Sequence, residues 1–138
     1  MRYLLDTNIL SEPTRKAPDP GVLEHLRAHR NEVVTAAPVI HELRYGIARL
    51  PPGQRREALS NYLDRLLRQP IEVLPYDREA ALWQAEQRAA LEAKGRPTPD
   101  ADGQIAAIAA TRRLILVTRN VADFVPFADL AVESWFGA

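Results

Sequence analysis

No cysteine occurs in the 138 residues, so neither a disulfide framework nor a thiolate zinc site is available. That absence suits a reducing cytosol. Long apolar runs are also missing: none approaches the ~20 residues a membrane span needs. The opening Met1-Arg2-Tyr3-Leu4-Leu5 reaches an acid at Asp6, too early for a signal peptide. A cytoplasmic protein with no membrane partner is expected. Net charge is zero and the sequence pI is about 6.8, so no global field advertises nucleic acid. Lysine is nearly absent, with Lys16 and Lys94 set against sixteen arginines. Arginine suits bidentate phosphate contacts, but a GC-rich genome produces the same bias. There is no glycine-rich phosphate loop, serine elbow, zinc-finger spacing or internal repeat.

What remains reads as one domain over residues 1–138, with 46% hydrophobic and 26% charged residues. Residues 2–5 form an apolar strand that stops at Asp6-Thr7-Asn8. A loop carrying Pro13, Pro18 and Pro20 is expected next, then a helix from Gly21 to Arg30 and a strand over Val33-Val34-Thr35. Pro38 opens a helix whose apolar positions are Val39, Leu43, Ile47 and Leu50, halted by Pro51-Pro52. Leu59, Tyr62, Leu63, Leu66 and Leu67 carry the next amphipathic pattern, and Ile71–Leu74 is a third strand. Asp77 caps a long helix ending at Gly95. A helix follows from about Asp100 to Arg112, then the buried strand Leu114–Thr118, and a last strand near Leu130–Val132. Short apolar strands alternating with helices predict an α/β fold with a parallel sheet covered on both faces.

Ligands of such sheets bind beyond the carboxyl ends of the strands. Asp6 closes the first strand, Glu42 lies on the helix after the second, and Asp102 occupies a first helical turn. Asp123, with Asn120, follows the strongest strand. In a parallel sheet these converge on one rim. Clustered carboxylates repel one another and stay ionised only beside a cation. An all-oxygen donor set suits Mg²⁺ or Mn²⁺ and not zinc. Such an ion activates water for phosphodiester hydrolysis. Each acid also admits a structural role. Asp6 and Asp123 could cap turns, Glu42 could pair with an arginine, and Asp102 could complement a helix dipole. Asp100 competes with Asp102, and being two apart they cannot share a face; the motif Asp-Gly-Gln-Ile-Ala-Ala begins at Asp102, which makes Asp102 the expected ligand and Asp100 the expected helix cap.

These segments carry a family pattern. Leu4-Leu5-Asp6-Thr7-Asn8-Ile9-Leu10-Ser11-Glu12 resembles the opening of the VapC-type PIN-domain toxins. Ile40-His41-Glu42-Leu43-Arg44-Tyr45-Gly46 resembles their glutamate helix. Asp102-Gly103-Gln104-Ile105-Ala106-Ala107-Ile108-Ala109 and Val117-Thr118-Arg119-Asn120-Val121-Ala122-Asp123-Phe124 resemble their second and third acidic motifs. Val132-Glu133-Ser134-Trp135 is similar to the terminal strand and aromatic. The likeness runs in order from residue 3 to about residue 135 and is nearest to the FitB-like branch.

The resemblance implies a PIN-like fold, a five-stranded parallel sheet with helices on both faces. It also implies an Mg²⁺ or Mn²⁺ endoribonuclease, a dimeric toxin held by a small VapB-like antitoxin. Asp6, Glu42 and Asp102 match its core acids, with Asp6 and Asp102 as metal ligands. Thr7, Asn8 and Thr118 match supporting polar positions. Many members carry an aspartate where this chain has Asn120, and Asp123 is the nearest acid, so the fourth site position is open between them. Two other readings are compatible with the residues: a regulatory PIN-like module acting through an antitoxin complex on DNA, and a phosphotransferase with an aspartyl nucleophile at Asp6.

Arg44, Arg112, Arg113 and Arg119 lie near the acidic motifs in sequence and are candidates for RNA phosphate contact. His41 beside Glu42 points elsewhere on its helix. His25 and His29 lack a third ligand and read as a solvated helix face. Trp83 and Trp135 read as core or dimer-interface aromatics. An antitoxin is expected to lay a basic side chain among Asp6, Glu42 and Asp102, and an apolar helix along the Val39–Leu50 or Leu59–Leu67 helices.

Overall fold

The computed structural model describes residues 2–137. Five strands, β1 (Tyr3–Leu5), β2 (Val33–Ala36), β3 (Glu72–Leu74), β4 (Ile115–Val117) and β5 (Ala131–Glu133), form one sheet. Their order is β3-β2-β1-β4-β5, and every pairing is parallel. The expected five-stranded parallel sheet is what forms. All three residues of β1 are buried, although successive side chains point to opposite faces. Both faces of the central strand are therefore covered, which is why Tyr-Leu-Leu shows no polar alternation.

Among the described residues seven helices surround the sheet: α1 (Thr7–Ser11), α2 (Pro20–Ala28), α3 (Ala37–Ala48), α4 (Gln54–Arg68), α5 (Arg78–Ala93), α6 (Asp100–Thr111) and α7 (Val121–Phe124). Among the described residues, no helix is long and apolar enough to cross a membrane. Leu4, Ile9, Val39, Leu74, Ile105, Ile108 and Leu116 are fully buried between these layers. Asp77 caps α5 as expected, its carboxylate accepting from the Ala80 N–H at 3.0 Å. The other end of α5 closes on Gly95 at φ 70°, with Arg96 and Gly95 N–H groups returning to the Leu91 and Glu92 carbonyls. That paired closure needs a left-handed residue, which glycine adopts without a Cβ penalty.

Three expectations change. The proline loop after Asp6 is instead α1 followed by a 3₁₀ turn over Glu12–Thr14. At five residues α1 is too short to show periodicity, and its stability comes from packing Ile9 and Leu10 into the core. Glu12 is buried there and ties down the segment by accepting from the Asp19 N–H at 2.8 Å. His25 and His29 are not a solvated face. Both half-buried rings stack on Trp135, with centroids 5.1 and 5.6 Å away, and Tyr3 packs edge-on at 5.2 Å. Trp135 is thus a core residue, 1% exposed, and not an interface aromatic. Asp100 does not cap α6, since Pro99 holds the N-cap position without any side-chain bond.

Candidate functional site

The carboxyl ends of β1 and β4 lie side by side, with Leu5 opposite Val117. Each strand passes one polar residue beyond the sheet, Asp6 and Thr118. Asp6 sits at the N-cap of α1 in extended conformation and accepts from the Thr7 N–H at 2.8 Å. Its second oxygen accepts from the Thr118 hydroxyl, also at 2.8 Å. Thr118 Oγ1 in turn accepts from Asn8 Nδ2 at 3.4 Å and the Asn120 N–H at 3.1 Å. One donor and two lone pairs are all a hydroxyl offers, so Thr118 is saturated and its direction is fixed. Asn8 spans the gap between the segments that follow β1 and β4 by accepting from the Arg119 N–H at 2.9 Å. Asp6 thus caps α1 through one oxygen and ties it to the end of β4 through the other.

Glu42 arrives from the second turn of α3 and is bound to this group through Thr7, whose hydroxyl donates to Glu42 Oε2 at 2.6 Å. Asp102 arrives from the first turn of α6, where the helix dipole favours an acid. Asp123 comes from α7 and lines, with Asp102 and Arg96, a hollow of about 430 Å³. Burial pushes the Asp102 carboxyl up to about 6, and the negative charges of Asp6, Asp123 and Glu42 add to that. Asp6 is also raised above the ordinary carboxylate range, by burial and then Glu42, against the lowering effect of the Thr118 and Thr7 bonds.

Four elements therefore bring four acids within electrostatic reach of one another. Among the described residues none of the four pairs with a basic side chain. Of the two candidates for the fourth position, Asp123 acts electrically on Asp102, whereas Asn120 enters only through its backbone N–H.

No three acidic or histidine side chains among the described residues are close enough to hold an ion unaided. That arrangement does not fit a structural zinc site, which needs four protein ligands. It does fit an ion such as Mg²⁺, held by one or two carboxylates with water completing the shell. Asp6 and Asp102 are the candidates for such a pair. In both, burial is the main cause of a raised affinity for protons, and neighbouring negative charge adds to it.

The candidate arginines divide. Arg119 lies at the site and stacks its guanidinium 4.8 Å from the Phe136 ring. Arg44 faces Asp64 on α4 at 3.6 Å. Arg112 and Arg113 follow the last turn of α6, about 15 Å along the helix from Asp102 at 1.5 Å per residue. Arg112 is ion-paired with Asp77 at 3.1 Å, and Arg113 takes the left-handed position (φ 57°) that ends the helix. Proximity in sequence misplaced these two, because a helix separates its ends.

Sequence reading passed over Arg96 and also Gln84, a buried polar residue on α5. The signal for Gln84 is its place on the inward stripe Ala80, Gln84, Leu91, where apolar residues belong. A groove of about 780 Å³ opens at Thr7 and Glu42 and runs between α3 and α4 over Leu43, Ile47, Leu59 and Leu63.

Comparison with known proteins places this geometry. The family model for the PIN domain matches residues 3–129. The chain is 34% identical over 135 residues to VapC ribonuclease Y4jK of Sinorhizobium fredii, covering 96% of each chain. It is 35% identical over 133 residues to Toxin FitB of Neisseria gonorrhoeae, covering 94% of each. Among solved structures, FitAB bound to an IR36 DNA fragment superposes with a TM-score of 0.85 at 31% identity, covering 99% of this chain and 96% of that one.

Proposed function

Because this chain belongs to the PIN-domain family, we propose that it is a metal-dependent endoribonuclease, the toxin half of a toxin–antitoxin pair acting in the cytoplasm. The observation that carries the chemistry is the group of four carboxylates at the carboxyl ends of β1 and β4, none of them ion-paired to a basic side chain among the described residues. Relatives named as a ribonuclease and a toxin, alike over nearly the full chain, supply the substrate class. Asp6 and Asp102 are the residues that would hold Mg²⁺ or Mn²⁺. Such an ion supplies a water acidic enough to attack a phosphodiester and a positive charge against the phosphate.

The protein's own part is orientation. Thr118 and the Thr7 N–H aim the Asp6 carboxylate, and the Thr7 hydroxyl holds one oxygen of Glu42. The other Glu42 oxygen is left to accept a proton from water. Asp123 keeps the field negative enough that Asp102 binds a cation strongly once deprotonated. Of the candidate arginines, Arg119 adjoins the group through its backbone N–H to Asn8 and would be the one to meet RNA phosphate.

A toxin of this kind needs restraint. The groove between α3 and α4 has the apolar floor to receive an antitoxin helix, and its mouth at Glu42 allows a basic side chain to reach the acids. The FitAB structure on DNA favours a second reading, a regulatory module whose work is done in such a complex. Cleavage of RNA by the isolated chain separates the two. Asp6→Asn and Asp102→Asn are expected to abolish Mg²⁺-dependent cleavage while leaving the circular dichroism spectrum unchanged. Wild-type activity in both variants would sink the assignment of these acids. A wild-type chain inert toward RNA in Mg²⁺ and Mn²⁺ would leave the regulatory reading.

A further inference from the structure

Asp102 stands on a helix whose N-terminus has no side-chain cap, yet the carboxylate must be held in one direction to serve the site. What holds that turn is on the neighbouring helix. Gln84 of α5 is buried, 6% exposed, and its Nε2 donates to Asp100 Oδ1 at 2.9 Å and to the Asp100 carbonyl at 3.3 Å. Both are acceptor-only atoms, so the amide nitrogen must face them and its oxygen must face away. That oxygen accepts from the Tyr76 hydroxyl, which fixes the amide from the other side. Gln104, one turn on, donates to the remaining Asp100 oxygen at 3.3 Å.

A side chain at position 103 would push the Gln84 amide out of this position. A Cβ on Gly103 would lie 2.5 Å from Gln84 Nε2. Gly103 thus occupies a buried helix-interior position where alanine is otherwise favoured. Asp100 and Asp102 are about 200° apart around the helix, so gripping Asp100 toward α5 turns Asp102 away from it. The side it turns to carries Asp123, Asp6 and Glu42, the acids whose charges act on it.

We propose that Gln84, held by Tyr76 and acting through Asp100, is a positioning residue that sets the rotation of α6 and aims the Asp102 carboxylate at the metal. This rests on the reading of Asp6 and Asp102 as ligands. Loss of an outer partner of a metal ligand lowers metal affinity about 10–100-fold. The test compares the wild-type chain with Gln84→Met, which keeps the volume and removes the bonds, and with Tyr76→Phe, which removes one hydroxyl from a partly exposed ring. Bound Mn²⁺ is counted by electron paramagnetic resonance, alongside thermal unfolding and RNA cleavage.

Gln84→Met is expected to raise the Mn²⁺ concentration for half-occupancy about tenfold, with the KM for RNA unchanged. Tyr76→Phe is expected to move it in the same direction by less. A residue serving only stability would lower the unfolding temperature and leave half-occupancy of the folded molecules where it was. Half-occupancy unchanged in both variants, in a chain whose wild type binds Mn²⁺ and cleaves RNA, would overturn the proposal and leave the nuclease reading standing. A wild type that binds no Mn²⁺ removes both.

Discussion

Replacing Asp102 by asparagine is expected to stabilise the metal-free protein at neutral pH. In the unfolded chain Asp102 titrates near 3.8, and in the folded chain near 6. Between those values the folded state keeps a proton that the unfolded state has lost. Stability therefore falls as pH rises through this window, and the penalty is complete above about pH 6. A carboxyl sealed from water would contribute about 3 kcal/mol at 1.36 kcal/mol per pH unit. Asp102 is half-buried, and water screens it, so about 1–1.5 kcal/mol is the expected size. Asparagine carries no charge at any pH and escapes the penalty.

Thermal unfolding in a chelating buffer, followed at steps from pH 4 to pH 8, measures this. Asp102→Asn is expected to melt about 4 °C above the wild type at pH 7.5, with the difference shrinking toward pH 4. Millimolar Mg²⁺ should narrow or reverse the order at pH 7.5, because the ion binds the folded wild type and not the variant. A difference that stays constant with pH, or a variant less stable at pH 7.5, would refute the account of the site as a concentration of uncompensated charge.

Two further outcomes follow from the same geometry. Thr118→Val keeps the shape of a fully buried side chain but strips the hydroxyl from Asp6, Asn8 and Asn120, so it is expected to cost about 1–3 kcal/mol in chemical denaturation and to lower kcat more than it raises KM. Retention of full kcat would show that Asp6 needs no such support. The chain is expected to sediment as a homodimer through the outer face of α5, where Leu82 is 57% exposed, so Leu82→Arg should shift it toward monomer. An unaltered sedimentation profile in that variant would place the dimer contact elsewhere.

Much of this is legible in the amino-acid sequence. The central strands β1 and β4 read as short apolar runs because both faces of the sheet are covered there, and α4 shows the 3.6-residue period of a half-buried helix. Asp6, Glu42 and Asp102 were legible because each stands at the end of such a run or within a recognisable motif. Signals of that kind reach no further than a turn or two along the chain. Helix α1 lay below them, being too short to repeat. Local sequence suggests Asp100 as a cap because caps are predicted from adjacent residues, whereas its partner is Gln84, sixteen positions earlier. Arg112 and Arg113 sat near the second acidic motif in sequence and at the opposite end of the helix in space.

The stacking of His25 and His29 on Trp135, and the choice of Asp123 over Asn120 as the acid that acts on Asp102, depend on segments that meet only after folding. The sequence by itself determined which residues could carry charge to the sheet edge, because burial and periodicity leave few polar positions there. Only the tertiary structure decided which way each one points. Direction is set by hydrogen bonds such as Thr118 to Asp6, between residues 112 positions apart, and no local pattern encodes a contact across that distance.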